Sequence, residues 1–347
     1  MIKRFLLLIL IVFFTEHSFS QTIFGKVVSK ENNAPIYEAD VFLVNTNTGC
    51  ATDKEGKFEI TNIPQGNYFL AIHHVGYENK YYQIKLYEGD RKEFIVQLET
   101  KIFEGEQVQV TAKKINWDRY YKIFEGCFLG TTTNADKCFI RNPMVLNFKV
   151  SEDKSTLTAS ADEMLRIDNY SLGYHLDVIL EQFEYSFDNQ RKKYLMYPKF
   201  TEMKYQERER LELWENNRRN TYKGSLEHFL STLIKESSLK EGFKVFETSN
   251  ISSSLYSYDI SDFYLTKTDS ILNTYKITLD SHVRILYPYF AGNAHVSEIE
   301  SDIRDVAFIQ NGYLINPLSV TVFGKWAEYG IADTLPWNYG KAKENKN

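Results

Sequence analysis

Residues 49–70, G-C-A-T-D-K-E-G-K-F-E-I-T-N-I-P-Q-G-N-Y-F-L, decide how the chain is read. Asp53-Lys54-Glu55-Gly56 is a polar turn, and Lys57-Phe58-Glu59-Ile60 then alternates polar and apolar with the period of a half-buried strand. Ile63-Pro64-Gln65-Gly66 turns the chain again, Pro fixing φ and Gly free to take φ > 0, and residues 67–72 read as the next strand. These devices predict a small antiparallel sheet and contain no catalytic chemistry.

Working outward, residues 21–100 carry turn signals at the spacing of a β-sandwich of about seven strands. Strands are expected at 22–29, 39–44, 77–86 and 92–98, separated by Glu31-Asn32-Asn33-Ala34-Pro35, Asn45-Thr46-Asn47-Thr48 and Glu88-Gly89-Asp90. Strands without a helical period argue for two packed sheets.

The 347 residues suggest two domains of roughly 100–200 residues each. An aromatic share of 15%, with 24 Tyr and 24 Phe against 17 Gly and 7 Pro, favours packed β-structure over disorder. A net charge of −5 leaves no basic excess for a phosphate backbone, which argues against nucleic acid as a partner. Lys3 and Arg4, the apolar run 5–14 and Ser18-Phe19-Ser20 have the layout of a signal peptide, residues 1–20, cut before Gln21. Its apolar run is shorter than the roughly 20 residues of a spanning helix, and no later stretch is apolar enough to span. An exported chain permits disulfides. Cys127 and Cys138 bracket a short loop and are the candidate pair, the alternative being two buried thiols packed as small hydrophobes.

Residues 101–115 read as a polar linker. Residues 116–124 fit a helix with Asn116 as N-cap and Gly130 as its stop. Next come a hairpin at 146–160, strands at 164–167, 174–187 and 192–200, and a charged helix at 206–217. Ser225 caps a second helix with Leu226, Phe229, Leu230, Leu233 and Ile234 on one stripe. Strands are expected at 256–260, 271–279, 283–289, 305–309 and 318–323, with Asn311-Gly312 as a hairpin turn. A short helix at 326–335 stops at Pro336, before a frayed tail at 341–347. The fold class is all-β plus α+β: a seven-stranded β-sandwich, then an antiparallel-sheet α+β domain over residues 116–347.

The order G-K-V-V-S, A-P-I-Y-E-A-D-V-F-L, T-D-K-E-G-K-F-E-I, I-P-Q-G-N-Y-F-L and V-G-Y resembles the carboxypeptidase-regulatory-like domain. The resemblance implies a transthyretin-like β-sandwich, found as an accessory in exported proteins and carrying no peptidase metal ligands. The same module precedes the plug of TonB-dependent outer-membrane receptors. Val108-Gln109-Val110-Thr111-Ala112 is similar to the segment that joins module and plug in those receptors, but this chain has no plug or long barrel after it. F-L-G, N-A-D-K-C, W-E-N-N-R-R-N-T-Y-K-G-S-L-E-H-F-L and G-K-W-A-E-Y-G-I-A-D-T-L-P-W-N-Y resemble the companion region of such proteins in Gram-negative envelopes. That resemblance implies a location and no reaction.

No complete catalytic set is present. His295-Val296-Ser297-Glu298 is an H-x-x-E, but His295 is the last histidine and a zinc site needs a third ligand. His73 and His74 are adjacent in a strand, so they face opposite ways. His228 falls near the start of the Ser225 helix, where a partly exposed place in the capping turn is expected. Glu298 with Glu300, or Asp302 with Asp305, has the residue types of a glycosidase pair, though solvated surface is the ordinary fate of such acids. Residues 214–228 mix Trp214, Arg218, Arg219 and Tyr222, side chains enriched at binding hot spots. The same residues also suit an internal brace, with an Arg paired to Glu and Trp214 in the core. The expectation is a non-enzymatic exported module that binds an envelope protein or a glycan, with no cofactor and no metal. The rival is a peptidase or glycosidase whose site is assembled in the second domain.

Overall fold

The computed structural model describes residues 21–101, 110–247, 256–257, 265–279, 283–288, 294–337 and 339. The expected signal segment, the tail at 341–347 and most of the expected linker lie outside the described residues.

Seven strands build the N-terminal sandwich: β1 (Gln21–Ser29), β2 (Asp40–Leu43), β3 (Gly49–Ala51), β4 (Lys57–Ile63), β5 (Gly66–His73), β6 (Lys80–Leu86) and β7 (Arg91–Leu98). They form two sheets, β4-β1-β7 and β3-β2-β5-β6, with β1 and β7 parallel. Residues 49–70 thus build no single small sheet: β3 and β5 lie in one layer and β4 in the other. The alternation of β4 explains this, because Phe58, Ile60 and Ile63 are buried between the layers while Lys57, Glu59 and Thr61 stay outside. At the first turn Asp53 Oδ1 accepts the N–H groups of Glu55 (3.0 Å) and Lys57 (2.8 Å), and Gly56 takes φ +74°. At the second, Asn62 and not Gly66 takes the left-handed conformation (φ 58°), which Asn tolerates.

The helix α1 (Val110–Leu129) begins six residues before the expected cap, since 110–115 holds no Gly or Pro to stop it, and ends at Gly130 (φ +92°). Its Phe124 and Phe128 are fully buried on a sheet of β8 (Cys138–Ile140), β9 (Leu146–Val150), β10 (Thr156–Ala161), β11 (Leu165–Asn169), β12 (Tyr174–Ser186) and β13 (Lys192–Glu202). The long β12 pairs β11 and then β10 along one edge and β13 along the other. After α2 (Arg208–Tyr222) and α3 (Leu226–Ile234), a second core joins α3 to two sheets. One sheet contains β14 (Lys244–Glu247), β15 (Tyr256–Ser257), β18 (Val283–Tyr287), β19 (His295–Glu300) and β21 (Thr321–Gly324). The other contains β16 (Leu265–Asp269), β17 (Thr274–Thr278) and β20 (Asp305–Ile309). The described residues of the companion region therefore form three antiparallel sheets over two cores.

Further expected elements differ, and the strand at 318–323 is a 3-10 turn, Pro317–Ser319, followed by β21. The single strand at 271–279 is a turn followed by β17, because Asp269 Oδ1 accepts the N–H groups of Ile271 (3.1 Å) and Leu272 (3.0 Å) and folds the chain back. The helix at 326–335 is two 3-10 turns, Lys325–Glu328 and Ile331–Asp333, parted at Gly330. There the backbones of Gly330 and Gly130 meet so closely that a Cβ on Gly330 would lie 2.4 Å from the Gly130 nitrogen.

The sandwich is fused to the companion region. The turn after β2 lays its backbone on the free edge of β13: Asn45 N–H donates to Pro198 O (2.8 Å) and Phe200 N–H to Thr46 O (2.9 Å). Beside it, Phe42, Val44 and Ala71 of the sandwich are buried against Ile179 of β12. Fully burying a large apolar side chain is worth roughly 1.5–3 kcal/mol, whereas a partly exposed ion pair such as Lys199–Asp40 (2.9 Å) contributes about 0–1 kcal/mol. The apolar contact therefore holds the junction, and the charges orient it.

Candidate functional site

Where the sandwich meets the second core, five loops enclose a partly open cleft of about 110 Å³. The sandwich supplies Thr46, Thr48 and residues 64–68; the companion supplies residues 271–273, 309–311 and Trp337. Among the described residues no charged side chain lines it. Gln65, Asn67, Asn273, Gln310 and Asn311 line it with amides. Tyr68 and Trp337 stack with ring centres 6.1 Å apart, and Tyr313 backs Trp337 at 5.9 Å. Burial pushes the Tyr68 phenol up to about 12, and its hydroxyl donates to Pro64 O (2.9 Å).

The walls are locked by hydrogen bonds, of which those to Asn45 and from Asn67 cross the junction. Trp337 N–H donates to Asn45 O (2.8 Å), Asn311 Nδ2 donates to Trp337 O, and Asn67 Nδ2 donates to Thr274 Oγ1 (2.6 Å). Among the described residues two side-chain atoms have no protein partner although their residues are over nine-tenths buried: Asn67 Oδ1 and Trp337 Nε1. One is an acceptor and the other a donor, and both residues line the cleft.

The residues singled out in the sequence lie elsewhere. Trp214 is buried and its Nε1 donates to Tyr170 O (2.9 Å). Arg218 donates from Nε to Leu172 O (2.7 Å) and from an Nη to Glu202 Oε1 (3.0 Å), with its guanidinium 4.0 Å above the Tyr174 ring. Tyr222 OH meets Ser231 Oγ (3.0 Å). Arg219 is exposed and reaches Asn216 Oδ1 (3.2 Å). Trp214 and Arg218 thus tie α2 to the loop between β11 and β12. Cys127 and Cys138 are free thiols, as is Cys50, so the candidate pair is not joined and the alternative of two thiols packed as small hydrophobes holds. Cys138 lies in the first companion core, where burial pushes it up to about 12, and burial also raises Cys127.

His228 is buried and not partly exposed: its Nδ1 accepts Gly224 N–H (3.0 Å), and burial lowers its pKa. The stripe of α3 explains the difference, since the helix is sunk among Tyr222, Phe243 and Tyr287. Ser225 Oγ accepts His228 N–H (3.1 Å) as the expected cap. His295 is exposed, while Glu298 accepts from Arg284 Nε (2.7 Å). Asp305 pairs with Lys276 (2.9 Å) and Thr278 (3.0 Å), which hold its carboxyl below the usual range. Among the described residues no group of three His, Cys, Asp or Glu could hold a metal ion.

Sequence reasoning missed two features. Cross-strand pairing of β11 with β12 places His175 Nδ1 2.6 Å from Asp168 Oδ1, a dyad with the geometry of a base and its orienting acid. Among the described residues no hydroxyl or thiol is hydrogen-bonded to the other ring nitrogen. The cleft was missed because its residues span positions 43 to 337 and each reads locally as part of a turn or a strand.

Among the described residues no helix is long and apolar enough to cross a membrane. No curated protein matches the chain. Among solved structures, it is similar to a type II cohesin–X-dockerin complex of Acetivibrio cellulolyticus (19% identity, TM-score 0.22, covering 33% of this chain and 79% of that one). It is also similar to a DUF3823 family protein of Bacteroides uniformis (9% identity, TM-score 0.18, covering 84% and 99%). The model of the CarboxypepD_reg-like domain matches residues 23–110, which hold all seven strands of the sandwich except the first two residues of β1. The sandwich is a carboxypeptidase-regulatory-like domain, and the chain is a protein that carries this module ahead of a larger β-rich companion region.

Proposed function

We propose that this chain is a non-catalytic binding module, exported to the periplasm or the outer-membrane face, where it engages an envelope protein or a glycan. One observation carries the reading. The accessory sandwich is not a bead on a linker; its turns form half the wall of an uncharged, aromatic-backed cleft completed by the companion region. A pocket of mixed apolar walls and a few convergent polar groups suits recognition. The purified mature chain is expected to retain one envelope component at fixed stoichiometry and to turn over no peptide, ester or glycoside. Turnover that disappears on a point mutation would overturn the reading.

The hydrolase reading rests on the Asp168–His175 dyad. It predicts an activity abolished by His175→Ala and unaffected by changes in the cleft.

A further inference from the structure

We infer that the cleft between the sandwich and the companion region takes one uncharged sugar ring. The inference rests on the binding reading above and names the ligand class of that site.

Size comes first. A water needs roughly 10–15 Å³ of such space, so about 110 Å³ has room for roughly eight water-sized groups, on the scale of a single sugar ring with its hydroxyls. Charge comes second. Among the described residues the lining has neither cation nor anion, so an acidic sugar or a phosphate would lose its hydration without gaining an ion pair. Polarity comes third. The side-chain amides of Gln65, Asn273 and Gln310 line the cleft, and desolvating a polar group without giving it a new partner costs about 1–3 kcal/mol. A purely apolar ligand would leave that cost in place. A hydroxyl is both donor and acceptor, so neighbouring hydroxyls on one ring can serve an acceptor and a donor together.

The remaining surfaces fit the same ligand. Tyr68 and Trp337 present aromatic surface to the C–H face of a ring. The amides of Gln65, Asn273 and Gln310 each offer a donor and an acceptor at the mouth. An extended peptide is the poorer fit. The strand edge nearest the junction, on β13, is already covered by residues 45–46.

The test is calorimetric and saturation-transfer NMR titration of the full mature chain. The probes are glucose, galactose, mannose and N-acetylglucosamine, with glucuronate and triglycine as contrasts. At least one neutral sugar is expected to bind and glucuronate is not. Trp337→Phe, which leaves a smaller aromatic face for the ring, should weaken binding severalfold. Gln310→Ala, a change at the mouth of the cleft that leaves the core intact, should weaken it severalfold, and Arg219→Ala on distant α2 should leave it unchanged.

No saturable binding of any neutral sugar to folded protein overturns the inference, as does triglycine binding in their place. Sugar binding that both cleft variants leave within about twofold also overturns it. Should an envelope protein be retained while no sugar binds, the cleft assignment fails and the binding reading stands. Should catalytic turnover appear while sugar still binds in the cleft, the reverse holds.

Discussion

Two places in this molecule join segments far apart in sequence, and they treat their polar groups in opposite ways. Around Asp333, every contact is paired. Its carboxylate accepts from Thr132 Oγ1 (2.8 and 3.0 Å), Asn134 Nδ2 (2.9 Å) and Gly330 N–H (3.3 Å). Asn134 in turn accepts from Ser171 Oγ (2.6 Å) and donates to Thr221 Oγ1 (2.8 Å). Burial raises the Asp333 pKa, and these hydrogen bonds oppose the rise. At the cleft, by contrast, Asn67 and Trp337 each keep one buried atom unpaired. A satisfied network fixes a fold, while an unsatisfied pair beside an open space marks a place suited to something else.

The contrast breaks most directly at Asp333. Asp333→Ala leaves Thr132 and Asn134 without their acceptor and should cost about 3 kcal/mol, read as a lower denaturant midpoint at unchanged slope. A loss under about 1 kcal/mol would mean that the network does not hold the fold. Asp333→Asn keeps part of the acceptor and should cost less.

Acid should act next, and with a sign that separates this network from the histidines. His73 and His228 are buried, and burial lowers both below the ordinary 6.5. The unfolded chain then binds more protons just below 6.5, so their contribution is fully present above 6.5 and is lost as pH falls through the depressed folded values. Protonating His228 also removes the acceptor of Gly224 N–H. Asp333, with a raised folded value, does the opposite: its contribution is full below 3.8 and is lost as pH rises through that raised value. Denaturant midpoints that fall between pH 7 and 5, equally in wild type and Asp333→Asn, assign the acid arm to the histidines. A flat profile over that window would refute the assignment.

The smallest effect is expected at the cleft. Trp337→Phe removes an N–H that has no partner, so without ligand it should be neutral or stabilise by up to about 1 kcal/mol despite the smaller ring. A loss above about 1 kcal/mol in thermal unfolding would show that Nε1 is paired in solution, and the contrast with Asp333 would disappear.

Legibility in the sequence followed locality. Turns whose chemistry is complete within four residues were readable, as at Asp53-Lys54-Glu55-Gly56 and the Ser225 cap. The seven strands and their family order were readable for the same reason. The allocation of β4 and β5 to opposite layers was not, because alternation tells which face is buried and not which sheet buries it. The early start of α1 and the break at Gly330 depend on backbone packing that no local pattern records. Trp337 stood out in the sequence for family resemblance alone; that it meets Asn45 and Tyr68, nearly the whole chain away, is a fact of topology.

The return of residues 331–337 has a consequence for the order in which the molecule is made. Ile331, Ala332 and Leu335 belong to the core built under α1, and Trp337 closes the cleft against the sandwich. A ribosome delivers these residues after every other element described here, so neither the first companion core nor the cleft is complete while they are still being made. Sandwich strands and early helices can form before these residues arrive, but the cleft is completed in one late step. A chain stopped just before residue 331 would hold almost all of its secondary structure and neither a complete first companion core nor a closed cleft.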